Sequence, residues 1–147
     1  MATTTAAITL TSSDLLTNAL ALSASMTLYQ NGTTATGLDE CTYSRHNIPT
    51  GTNFDLIPES AALSEDASYV YIANKSTDVT YYVIISINDE PIGRLYAGDW
   101  LFMPWDSDVV AVGAGGSAIE VRAYVADATL EYCLFHNGET RVASDDS

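Results

Sequence analysis

Between Val79 and Ile87 the chain reads Val-Thr-Tyr-Tyr-Val-Ile-Ile-Ser-Ile, with β-branched and aromatic residues at both parities. Such residues fit the pleated surface of a strand. Alternate side chains of a strand point to opposite sides. Tyr81, Val83, Ile85 and Ile87 therefore share one face, and Tyr82 and Ile84 the other. The stretch from Trp100 to Trp105 behaves alike: Trp100 and Phe102 fall on one face, Leu101, Met103 and Trp105 on the other. Antiparallel sheets of monomers usually keep one wet face. A strand that is apolar on both faces needs a second cover, either the opposing sheet plus a loop or another subunit.

Other segments extend the pattern. Leu20 to Leu28 alternates apolar and polar residues, as a half-buried strand does. Tyr69–Ala73, Ile92–Leu95, Trp100–Met103 (closed by Pro104), Val109–Val112, Ile119–Val125 and Leu130–Phe135 are further short strands. Asn31-Gly32, the Asn74–Asp78 stretch, Asn88-Asp89-Glu90-Pro91 and the Gly113–Ser117 loop supply the turns. Short strands broken by frequent turn signals predict an all-β fold, an antiparallel β-sandwich of jelly-roll-like type. The one helical alternative is Asp14–Leu20 behind a Ser12 or Ser13 cap, and it competes with an extended reading. A chain of 147 residues without internal repeat or linker is read as one domain, with residues 1–19 as an arm toward neighbouring chains.

Charge narrows the partners. There are 19 acidic and 5 basic residues, a formal −14, and Lys75 is the single lysine. Phosphate neutralisation needs clustered Lys and Arg, so nucleic acid is not an expected partner. Docking on anionic lipid is excluded on the same ground. No apolar run is long enough for a membrane helix, and the first residues lack the basic start of a secretory signal. Charged residues make up only 16% of the chain, against about 25% in ordinary soluble domains. That deficit calls for surface which is not wet.

Chemistry-bearing motifs are sparse. Cys41 and Cys133 show no metal-like spacing; two buried thiols are expected, with a single disulfide as the alternative. His46 and His136 are the only histidines. A Ser/His/Asp triad can be assembled from distant positions, but no nucleophile elbow, phosphate loop or zinc motif occurs. The reading is a non-enzyme with no cofactor. Asp106 and Asp108, with Asp99, are oxygen donors that converging loops could turn to a hard cation, although Asp equally serves turns. Asn31-Gly32-Thr33 and Asn74-Lys75-Ser76 match the glycosylation sequon and are read as turns. Tyr96, Trp100 and Trp105 suit the apolar face of a sugar ring, and equally a packed interface.

One resemblance adds to this reading. Tyr69–Ser76, Tyr82–Ile87, Ile92–Trp105 and Glu131–Phe135, and more loosely Ile8–Leu15, resemble small β-rich structural proteins of tailed phages, especially marine and cyanobacterial podovirus-like ones. Residues 36–66 match nothing in that group. The resemblance implies a virion component made in the host cytoplasm. The expected role is a capsid decoration or cement protein on the outer capsid surface. Its partners would be the major capsid protein and further copies of itself, a trimer by analogy. A tail or fibre component that contacts host surface polysaccharide is the alternative. A hydrolase or cation-binding module is a more distant rival. Interface residues expected on these grounds are Tyr82, Ile84, Arg94, Trp100, Phe102 and Trp105, with Arg94 pairing a carboxylate. The carboxylates themselves are expected outside the interfaces.

Overall fold

A computed structural model describes residues 4–15, 17–29, 37–38, 40–57, 68–87, 89–105 and 118–136, with the backbone alone for Glu40, Ser68 and His136. Its strands are β1 (Thr5–Ser12), β2 (Leu20–Thr27), β3 (Glu40–Ile48), β4 (Phe54–Ile57) and β5 (Ser68–Asn74), then β6 (Tyr82–Ile87), β7 (Glu90–Tyr96), β8 (Trp100–Trp105), β9 (Ile119–Ala123) and β10 (Ala128–His136). The fold is all-β, and no helix occurs among the described residues. The sequence reading missed β1 and β4, and left Tyr43–Asn47 between a loop and a short edge strand; it lies in β3, an edge of its sheet. The expected strand Val109–Val112 lies outside the described residues.

β3 to β10 build two antiparallel sheets, ordered β3-β10-β5-β8 and β4-β9-β6-β7. The chain changes sheet at every connection except β6–β7. The inner faces meet in one core. Ile48, Val70, Ile72, Leu130 and Trp105 come from the first sheet; Leu56, Val83, Ile85, Leu95 and Val121 come from the second. This is a β-sandwich, with the second cover over β6 and β8 supplied on one face by the opposite sheet.

Two prolines sit inside strands, where the sequence reading placed strand ends. Pro104 is in β8 and Pro91 in β7, and both strands are sheet edges. An edge strand has one side without hydrogen-bonded neighbours, so the missing N–H costs little there. In the β6–β7 hairpin Asp89 stands at φ 66°. Asn is among the few side chains that tolerate the left-handed region, and Asp is another.

Asn74 ties the sheets together. It is fully buried at the end of β5. Its Nδ2 donates to the Leu95 carbonyl on β7 at 3.0 Å, and its Oδ1 accepts the Ser76 N–H at 3.0 Å. Its side chain is thus spent inside the protein, and the sequon at Asn74 works as a turn.

β1 and β2 stand apart as a two-stranded hairpin. The arm is therefore longer than the expected residues 1–19, because β2 returns along β1 as far as Thr27. At its tip the Ser12 hydroxyl accepts the Leu15 N–H at 3.1 Å, as a helix cap would. No helix follows; residues 13–15 and 17–18 only bend, and Leu20 pairs back on Ser12. At its root the Leu28 N–H donates to the Thr4 carbonyl at 2.8 Å, and Leu38 donates to Leu28 at 3.0 Å. Leu28 and Leu38 are fully buried but lie outside the main core.

Candidate functional site

Both outer sheet faces are aromatic, for different neighbours. On the outside of the first sheet, Tyr69 stacks on Phe102 at 5.6 Å, and Phe102 meets Phe135 edge-on at 6.5 Å. Tyr71 tilts against Trp100 at 6.3 Å. The root of the arm leans over these rings. Between them lies a groove of about 920 Å³, lined among others by Ala6, Ile8, Met26, Tyr71, Trp100 and Phe102. Farther along the same face the Tyr43 hydroxyl donates to Glu131 Oε2 at 2.6 Å, and Arg45 pairs with the same oxygen at 2.9 Å. These hydrogen bonds hold the Glu131 carboxyl below its ordinary range.

Cys41 and Cys133 are joined in a disulfide on this outer face, 6.2 Å between Cα atoms. This corrects the expectation of two buried thiols. Residue parity is the reason: β3 and β10 pair so that Cys133 lies opposite Tyr43 and Cys41 opposite Phe135, on the side away from the core.

The outside of the second sheet has three rows, set by strand register. Tyr124, Tyr82 and Tyr96 form the first. Arg122, Ile84 and Arg94 form the second. Asp55, Glu120 and Ser86 form the third. Tyr82 stacks on Tyr124 at 5.5 Å and tilts on Tyr96 at 5.1 Å. Arg94 lies over the Tyr82 ring at 4.9 Å, and Arg122 over Tyr124 at 5.5 Å. Both guanidiniums thus turn toward the tyrosines, as cation–π attraction favours. Glu120 is left with Asp89 and Asp55 for neighbours; partial burial first, then those like charges, push its carboxyl above the ordinary range.

The six expected interface residues are therefore scattered. Tyr82, Ile84 and Arg94 are neighbours on the second sheet. Trp100 and Phe102 lie on the outside of the first. Trp105 is 4% exposed and belongs to the core, so it is not a surface contact. Its parity with Leu101 and Met103 already carried that placement. Arg94 pairs with Tyr82, and Arg45–Glu131 is the only ion pair among the described residues. The sequence reading missed Arg122, Tyr124 and Glu120, whose signal was position on a strand adjacent to β6. Asp55 and Glu120 also stand on the tyrosine-bearing face.

The histidine reading has a partial counterpart. Ser44 Oγ and His46 Nε2 are 2.9 Å apart on the inner side of β3. The His46 ring stacks on Tyr132 at 5.9 Å and tilts on Phe54 at 5.6 Å. Among the described residues its only hydrogen-bond partner is Ser44, so no third member completes a triad. Of His136 only the backbone is described. Asp106 and Asp108 lie outside the described residues, while Asp99 accepts the Tyr96 N–H at 2.9 Å. Among the described residues no group of His, Cys, Asp and Glu could hold a metal ion, and no helix is long and apolar enough to cross a membrane. In comparisons with known proteins, no family model and no curated protein matches the chain.

Proposed function

We propose that this chain is a phage virion structural protein, a capsid decoration or cement protein that binds the major capsid shell and further copies of itself. The observation that carries the reading is the β1–β2 arm. Ile8, Leu10, Leu22 and Met26 share one face of it, with Leu10 48% and Leu22 55% exposed. A lone hairpin is marginal in water. An apolar face of this kind marks an interaction site. Between Thr5 and Thr27 the only charged residue is Asp14, so copies of a −14 chain can meet here without opposing carboxylates.

Two further observations support the reading. The alternation of β3 to β10 between two sheets, with one in-sheet hairpin, fits a jelly roll. The phrases at Tyr69–Ser76 and Ile92–Trp105 resemble phage structural proteins. The mechanism is mechanical: apolar area buried between subunits stabilises whatever state binds it. The alternative, a tail or fibre module contacting polysaccharide, rests on Trp100, 54% exposed beside Tyr71.

Analytical ultracentrifugation of the full chain tests the arm. The wild type should sediment as an oligomer, and Leu10→Asp with Leu22→Asp should shift it to a smaller species. An unchanged profile would overturn the role of the arm. Quantitative mass spectrometry of purified particles tests location. A copy number of the order of the major capsid protein's is expected; a far smaller one would favour the tail or fibre.

A further inference from the structure

The three rows on the second sheet lie about 7 Å apart, two residues of strand rise. Their order is aromatic, cationic, acidic. In a chain with five basic residues, two stand side by side here, flanking the half-buried Ile84. Neither makes an ion pair among the described residues. Arg122 and Glu120 are two positions apart on β9, yet Arg122 turns away to Tyr124. The Glu120 carboxylate is left among Asp55 and Asp89, with its proton held more tightly than usual. One face thus carries a row of guanidiniums without acids and a row of acids without guanidiniums.

A twofold axis lying in the plane of this face and parallel to the rows reverses their order. Placed between the second and third rows, it keeps each strand over its own copy and sets Arg122 of one copy over Glu120 of the other, on both sides of the axis. Such a contact is isologous: if one residue meets another across it, the reverse contact is made too. We infer that the outer face of β4-β9-β6-β7 is a twofold contact between two copies of this chain, with Arg122 of each over Glu120 of the other and Ile84 over Ser86. Ile84 supplies an apolar centre. The tyrosines add amphipathic area of the sort enriched in interfaces. Charges elsewhere on the two acidic chains are largely screened beyond about 8 Å at physiological salt. A second copy is favoured over a foreign anion because this one face presents both halves of the charge pattern.

The contact is distinct from the arm, so the test uses the full chain carrying Leu10→Asp and Leu22→Asp. In that background, sedimentation velocity should still show a dimer. Arg122→Glu alone and Glu120→Arg alone should each weaken it at least tenfold. Mixing those two variants should restore a dimer containing one copy of each. Should a swap lower the unfolding midpoint strongly, Arg122→Gln and Glu120→Gln replace the pair and should each weaken the dimer. A monomer at every concentration, a dimer indifferent to the substitutions, or a mixture that fails to reassociate would overturn the proposal. An oligomer unchanged by Leu10→Asp with Leu22→Asp, yet broken by the Arg122 and Glu120 substitutions, would leave the inference standing and sink the arm.

Discussion

In β2 the apolar residues Leu20, Leu22, Ala24 and Met26 recur at every second position, just as Val83, Ile85 and Ile87 do in β6. Leu22 and Met26 nevertheless stay in water, while Val83 and Ile85 are fully buried. The difference lies in what each strand has on its sides and above it. β6 is a central strand between β9 and β7, and the inner face of the other sheet closes over it. β2 pairs only with β1, and beyond the groove at its root nothing among the described residues covers its apolar face. The same local pattern thus stabilises the fold in one region and leaves binding surface in the other.

The sharpest way to break this contrast is at the core. Trp105→Ala should lower stability by about 3–5 kcal/mol, as truncation of a packed large aromatic does, read by chemical denaturation. A loss under 1 kcal/mol would mean that Trp105 is a surface residue after all. Next comes Asn74→Ala, which leaves the Leu95 carbonyl and the Ser76 N–H without their buried partner. A loss of about 1–3 kcal/mol is expected. On the arm, Leu10→Asp with Leu22→Asp should leave the unfolding midpoint of the sandwich nearly unchanged, within about 0.5 kcal/mol for exposed sites. A large loss there would join arm and sandwich into one folding unit.

The smallest effect concerns Glu131. Its carboxyl is depressed in the folded chain, so its contribution to stability is present above the unfolded carboxylate value, near 4.3. It is lost as pH falls through the lower folded value. Glu131→Gln should therefore lower the thermal midpoint slightly at neutral pH, and the gap should close in acid. A gap that widened on acidification would contradict the Tyr43–Glu131–Arg45 geometry.

Strand periodicity, the split faces of Val79–Ile87 and Trp100–Trp105, and the turns at Asn74–Asp78 and around Asp89 were legible because they depend on neighbours in the chain. So was the all-β class. β3 and β4 were less legible: Cys41–Ile48 carries polar residues such as Ser44 and Arg45 at both parities. Trp105 shares the parity of Leu101 and Met103 and so faces the core, although a large aromatic ring at a strand end suits an interface equally well. Arg122 and Glu120 acquire meaning only beside Ile84 and Asp55, and Cys41 reaches Cys133 across 92 positions of chain.

By itself the sequence determined an acidic, charge-poor chain of short strands, two of them in need of cover on both sides. Propensity and period act over a few residues, and those statements are local. Only the tertiary structure decided which sheet each strand joins and which outer face each tyrosine and arginine reaches. It also decided that the first hairpin stands outside the sandwich. Those outcomes follow from register between strands far apart in sequence. A shift of one residue there would exchange every inward side chain for an outward one.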